Sequence, residues 1–94
     1  MRIRWLRTAL KNLADEAEYI GLDSPAAAAS VVSAIAEAVD SLAKYPAIGR
    51  PGRVAGTREL VVSGTPYIVP YRVRAGSVEI LRIFHAARKW PESF

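Results

Sequence analysis

The side chains best suited to chemistry lie in the second half of the chain. His85 is the sole imidazole. Arg58, Arg72, Arg82 and Arg88 are available to clamp a phosphate, and Tyr67, Tyr71 and Trp90 could stack on bases. A metal-independent ribonuclease needs a base for the ribose hydroxyl, a positive group for the developing phosphate charge and an acid for the leaving oxygen. Arg58, Arg82, His85 and Arg88 would fill those roles. Each residue also has a plainer reading. His85 would hydrogen-bond a backbone carbonyl at a strand end, Arg58 would form a surface charge pair with Glu59, and Tyr67 and Tyr71 would be core. Trp90-Pro91 would pack the tail on the fold or contact a partner. Arg50 and Arg53 sit among glycines and prolines in a loop suited to binding an acidic peptide. No glycine-rich phosphate loop, paired-carboxylate site or Ser/His/Asp arrangement is visible.

Charge and composition narrow the options. Residues 1–48 carry five basic and six acidic side chains, whereas residues 49–94 carry eight and three. The excess that makes the net charge +4 therefore falls in the second half, where an acidic partner would be drawn. Seven of those eight basic residues are arginines, which favours bidentate contacts to carboxylate or phosphate. The absence of cysteine excludes disulfides and thiolate metal sites, and one histidine makes a protein-only zinc site improbable. No cofactor is expected. No apolar run is expected to reach the eighteen or so residues needed to span a bilayer, and Met1–Trp5 starts no signal peptide. The expectation is a soluble, cytoplasmic protein whose 94 residues form a single domain, 1–94.

The elements that must position these residues follow from periodicity. Ile3 to Leu6 reads as a short strand. From Thr8 as N-cap, Leu10, Leu13, Ala14, Ala17 and Ile20 form the apolar side of a first helix ending at Gly21. Ser24-Pro25 opens a second helix with an apolar stripe of Ala28, Val31, Val32, Ile35, Val39 and Leu42. Gly49 to Gly56 is a loop. Arg58–Val62, Tyr67–Arg74 and Val78–Phe84 are strands.

A two-residue turn at Ala75-Gly76 sets Arg74 opposite Ser77, Arg72 opposite Glu79 and Tyr71 opposite Ile80. The same register puts Tyr67, Val69, Tyr71, Val73, Val78, Ile80 and Phe84 on the helix-facing side. Ile68, Pro70, Arg72, Glu79, Leu81, Ile83 and His85 take the other. Arg82 falls on the more apolar face, so it is either buried with a partner or near the rim. Pro70 cannot donate to a ladder, so a bulge or an unpaired position is expected beside it. The class is α+β: a short N-terminal strand, an αα-hairpin, then a three-stranded antiparallel meander with the helices on one face.

Several segments carry a family resemblance. The early Ala-Leu, Asp15 and Tyr19-Ile20 are similar to the first helix of the ParE/RelE toxins of bacterial type II toxin–antitoxin systems. Ser24-Pro25-Ala26-Ala27-Ala28 resembles the start of their second helix, and Leu42-Ala43-Lys44-Tyr45-Pro46-Ala47-Ile48-Gly49 its end. The resemblance covers nearly the whole chain and implies the RelE/ParE-like fold. It also implies a cognate ParD-like antitoxin that wraps the toxin with an acidic, amphipathic segment in an oligomeric complex and represses its own promoter. The Pro46…Gly49-Arg50 junction and the Ile83-Phe84-His85 strand end look most like the ParE branch, whose members poison DNA gyrase without catalysis. In RelE-like ribonucleases a basic residue usually follows the tyrosine matching Tyr67, where this chain has Ile68. The resemblance thus implies a gyrase-directed toxin, with ribosome-dependent cleavage of messenger RNA as the alternative. Arg50, Arg53, Arg58, Arg82, His85, Arg88 and Trp90 would touch target or antitoxin.

Overall fold

The computed structural model describes residues 1–87, Trp90 and Phe94. Its elements run β1 (Arg2–Trp5), α1 (Arg7–Gly21), α2 (Pro25–Asp40), a 3₁₀ turn (Ser41–Ala43), β2 (Arg50–Pro51), β3 (Arg58–Val61), β4 (Tyr67–Arg74), β5 (Ser77–Ile80) and β6 (Phe84–His85). The sheet order is β1-β5-β4-β3-β2, with β6 also paired to β4. β1 joins β5 in parallel and every other pair is antiparallel, so the sheet is mixed.

The two helices begin differently. At α2 the Ser24 hydroxyl accepts a hydrogen bond from the Ala27 N–H at 3.1 Å, and Pro25 occupies the first turn, where its missing N–H is harmless. α1 has no such cap. It starts at Arg7 rather than after Thr8, because the chain leaves β1 directly and Leu6 donates its N–H to Ile80. Its inward stripe is correspondingly Ala9, Leu13, Glu16 and Ile20, while Leu10 is half exposed and Ala14 exposed.

Val31, Ile35 and Val39 on α2, and Leu42 in the 3₁₀ turn that follows, join the core as the spacing predicts. Pro25–Ala43 spans 19 residues and is apolar enough by length and composition to cross a membrane, which corrects the expectation that no run reaches that length. Alanines supply much of that apolar character, and the bulky residues Ile35, Val39 and Leu42 are buried against the sheet.

The core lies between the hairpin and one sheet face, where Val69, Tyr71, Val78 and Ile80 are fully buried. The β4–β5 register is the predicted one, Arg74 to Ser77, Arg72 to Glu79 and Tyr71 to Ile80. Ala75 (φ 53°) and Gly76 (φ 76°) both take the left-handed conformation that such a two-residue turn requires. Val73, expected in the core, is 47% exposed: β3 pairs with β4 only as far as Tyr71, which leaves Val73 at an open edge.

The predicted strand Val78–Phe84 is broken. Tyr71 pairs with Ile80, but Ile68 pairs with Phe84, so Val69-Pro70 faces three residues, 81–83. This is a one-residue β-bulge, and it sits where Pro70 has no N–H to donate. The Pro70 carbonyl accepts from Leu81 at 3.0 Å. The extra residue exchanges the faces that follow. Ile83 joins the helix-side core and His85 pairs with Tyr67, whereas Phe84 pairs with Ile68 on the outer face, opposite to the sequence-based assignment. Gly49–Gly56 is not wholly loop either, since Arg50-Pro51 forms an edge strand paired with Arg58-Glu59.

Candidate functional site

The predicted site residues fall into separate places. The first is organised by Glu59, which is 2% exposed. Arg50 approaches its Oε1 at 3.0 Å, while the Arg53 backbone N–H donates to Oε2 at 2.8 Å and the Arg53 guanidinium lies 3.7 Å away. One buried carboxylate therefore fixes both loop arginines. The Arg53 guanidinium also stacks 4.0 Å from the Trp90 ring centroid, a contact worth about 0.5–2 kcal/mol depending on desolvation. Trp90 packs on Phe84 at 4.6 Å, and its Nε1 is shielded from solvent without a hydrogen-bond partner among the described residues. Phe94 stacks on Phe84 at 6.1 Å, with the Arg82 guanidinium 5.4 Å from the Phe94 ring. The bulge thus brings Arg82 to the outer aromatic cluster, partly exposed, where it donates to the Leu81 carbonyl at 2.7 Å.

Arg58 does not belong to this group and does not pair with Glu59, because adjacent strand residues point to opposite faces. Its guanidinium donates to the Gly49 carbonyl at 2.8 Å and the Ala47 carbonyl at 3.3 Å. The Tyr71 hydroxyl completes that corner, donating to the Pro46 carbonyl and accepting from the Gly49 N–H, each at 2.8 Å. Tyr71 is core, as its plainer reading held.

His85 stands apart from both groups. Its ring meets Tyr67 edge-on at 5.7 Å, and Nδ1 accepts from the Ala87 N–H at 3.2 Å. The strand-end role is right, but the partner is an amide N–H rather than a carbonyl. His85 helps line an apolar groove of about 490 Å³ with Tyr19, Ile20, Val31, Pro66, Tyr67 and Ala87, none of them basic. At its floor the Tyr67 hydroxyl donates to buried Glu16 at 3.3 Å. Arg88 lies outside the described residues.

A further cluster was foreseen only in its Arg72–Glu79 pairing. Glu79 is 3% exposed and receives Arg72 Nε at 2.6 Å, with Arg74 and Arg4 each at 3.5 Å. The hydrogen bond from Arg72 chiefly holds its carboxyl below the ordinary value; burial opposes this, and the charges of Arg74 and Arg4 reinforce it. The period-two spacing of Arg2/Arg4 and of Arg72/Arg74 was the available signal. The parallel β1–β5 pairing that unites them is not written in either segment.

The chain matches the family model described as "ParE toxin of type II toxin-antitoxin system, parDE" over residues 3–90. It is 54% identical over 91 residues to "Putative toxin Y4kP" of Sinorhizobium fredii, covering 97% of this chain and 94% of that one. It is 45% identical over 87 residues to "Toxin RelE2" of Caulobacter vibrioides, covering 93% and 97%. Among solved structures, a chain of "Chromosomal ParDE TA system from P. aeruginosa" superposes with a TM-score of 0.81 at 33% identity, covering 90% of this chain and 95% of that one. With the helical hairpin on a mixed sheet, these matches show that the chain belongs to the ParE toxin family of type II toxin–antitoxin systems.

Proposed function

We propose that this toxin arrests growth by binding DNA gyrase in the cytoplasm, without catalysis of its own, and that a ParD-like antitoxin neutralises it. The observation carrying this reading is that no described arginine lines the groove beside His85, and the described candidate phosphate clamps are engaged elsewhere in the fold. Arg50 and Arg53 are held by Glu59, Arg58 by the carbonyls of Ala47 and Gly49, Arg72 by Glu79, and Arg82 by the Leu81 carbonyl. His85 lies among apolar side chains with its Nδ1 occupied, and Ile68, at the position where a phosphate clamp would stand, is buried. Acid–base cleavage of RNA needs a cation and a proton-transfer group on the same phosphate, within hydrogen-bond reach. A surface that binds by shape has no such requirement. The antitoxin's amphipathic segment would lay its apolar face in the groove beside His85, a helix-in-groove mode, and acidic residues of the wrapping chain would reach Arg50 and Arg53 on the outer face.

The test is induced expression in a bacterial host with and without the antitoxin. The expected result is an SOS response and gyrase-linked DNA breaks while translation continues, with His85→Ala remaining toxic. A prompt halt in translation with cleaved messages, abolished by His85→Ala, would overturn the reading in favour of messenger RNA cleavage.

A further inference from the structure

Register alone places four arginines on one patch. Ile3 and Trp5 pack on the core, so Arg2 and Arg4 face outward from β1. Arg2 pairs with Ser77 and Arg4 with Glu79, and across the next strand Arg74 pairs with Ser77 and Arg72 with Glu79. Residues two apart on a strand are about 7 Å apart, and β1 and β4 flank β5 at a total of about 9.6 Å. The result is a two-by-two grid of guanidiniums on the sheet face opposite the helices. Among the described residues Glu79 is the carboxylate its arginines contact, and the Arg4 and Arg74 side chains are 66% and 64% exposed. A guanidinium has five N–H donors, and Arg4, Arg72 and Arg74 each meet Glu79 through one nitrogen, which leaves donors for a ligand.

We infer that this grid is a binding surface for the phosphate backbone of duplex DNA, independent of base sequence. Two features favour DNA over an acidic protein segment or a single strand. Among the described residues only Ser77 and Glu79 stand between the grid's arginines, so it has no apolar anchor within it, and the apolar groove lined by His85 lies on the helix side of the sheet. Among the described residues no aromatic side chain stands within the grid: the outer aromatic cluster packs on Phe84 beside Ile68, four residues along β4 from Arg72, whereas single-strand binders set stacking platforms among their cations. Charge without anchor or platform suits phosphates presented by a stiff duplex. The inference extends the gyrase reading, since a toxin that grips DNA would be drawn to gyrase engaged on its substrate. It is tested without gyrase, so either can fail alone.

The experiment measures binding of the purified full-length toxin to a fluorescent 20-base-pair duplex of arbitrary sequence from low to moderate salt. Four phosphate contacts predict that log K falls against log salt with a slope of about −3.6. Arg4→Ser with Arg74→Ser, both exposed and leaving the Arg72–Glu79 contact intact, should reduce the slope by about 2 and weaken binding more than tenfold at the lowest salt. Arg7→Ser with Lys11→Ser removes the same charge from α1 and should leave the slope unchanged. Equal losses in both variants would mean net charge alone acts, and would overturn the inference. Absence of duplex binding, preference for single-stranded RNA, or binding of an acidic peptide but not duplex at the grid would each overturn it as well. Circular dichroism melts of the variants separate lost binding from lost folding.

Discussion

Tyr71 ties the end of the helical region to the sheet through one hydroxyl. It is fully buried, it bridges the Pro46 carbonyl and the Gly49 N–H, and its ring explains why residue 49 is glycine. A Cβ at Gly49 would stand 2.6 Å from the Tyr71 ring, where nothing can move cheaply. Tyr71→Phe keeps the packing and strands a buried donor and acceptor, so it should cost about 1–3 kcal/mol in urea unfolding. A loss well under that range would show that the corner is held by Arg58 alone. Glu79 makes a pH prediction. Its folded pKa is depressed below the ordinary 4.5, so its stabilising contribution is present above that value and is lost as pH falls through the folded value. Thermal melts in the acid range should therefore show a steeper loss for the wild type than for Glu79→Gln. Parallel acid profiles would refute the linkage.

At the scale of elements, turns and bulges decide which side chains meet. The Ala75-Gly76 turn has the sharp geometry that suits Asn-Gly, yet Ala75 holds φ 53° without a side chain that tolerates it well. Ala75→Asn should stabilise the protein by about 1 kcal/mol, read as a higher urea midpoint with unchanged slope. An unchanged or lower midpoint would mean that the turn is not limiting. The bulge at residues 81–83 has a larger consequence, because a one-residue slip reverses every side chain beyond it. It sends Phe84 to the outer aromatic cluster and His85 to the apolar groove. The conflict at Pro70 announced that something irregular was needed there. It did not say on which strand the extra residue would lie, because proline's missing donor constrains only its own position. Leu6 likewise shows why Thr8 misled: propensity names a good cap, but the chain's direct exit from β1 sets where α1 begins.

Across the whole molecule, charge is segregated by layer rather than by sequence half. The helical hairpin and its flanks hold Asp15, Glu16, Glu18, Asp23, Glu37 and Asp40, while Arg2, Arg4, Arg72 and Arg74 share the opposite face of the sheet. Arg2 and Arg4 belong to the more acidic half of the chain, so a tally by halves hides them. A protein that acts by surface binding should lose toxicity in graded steps. Arg50→Ala, Arg53→Ala and Trp90→Ala, assayed by titrated induction, should each weaken growth inhibition in part, and together more than any one. Complete loss from a single change that leaves folding intact would instead argue for a catalytic group.

The sequence by itself determined the α+β class, the helical hairpin and the β4–β5 register, because periodicity, capping residues and tight turns are local, and its motifs carried the resemblance to the family. The burial of Tyr71 and the division of the sheet into two faces as far as residue 80 also follow from alternation. Only the tertiary structure decided where the chemically capable residues went. Glu59 gathers Arg50 and Arg53 across an edge pairing too short to read, the bulge swaps Phe84 with His85, and a parallel strand some seventy residues away in sequence completes the arginine grid. Those outcomes depend on partners brought together by folding, and a strand carries no record of which neighbour it will meet.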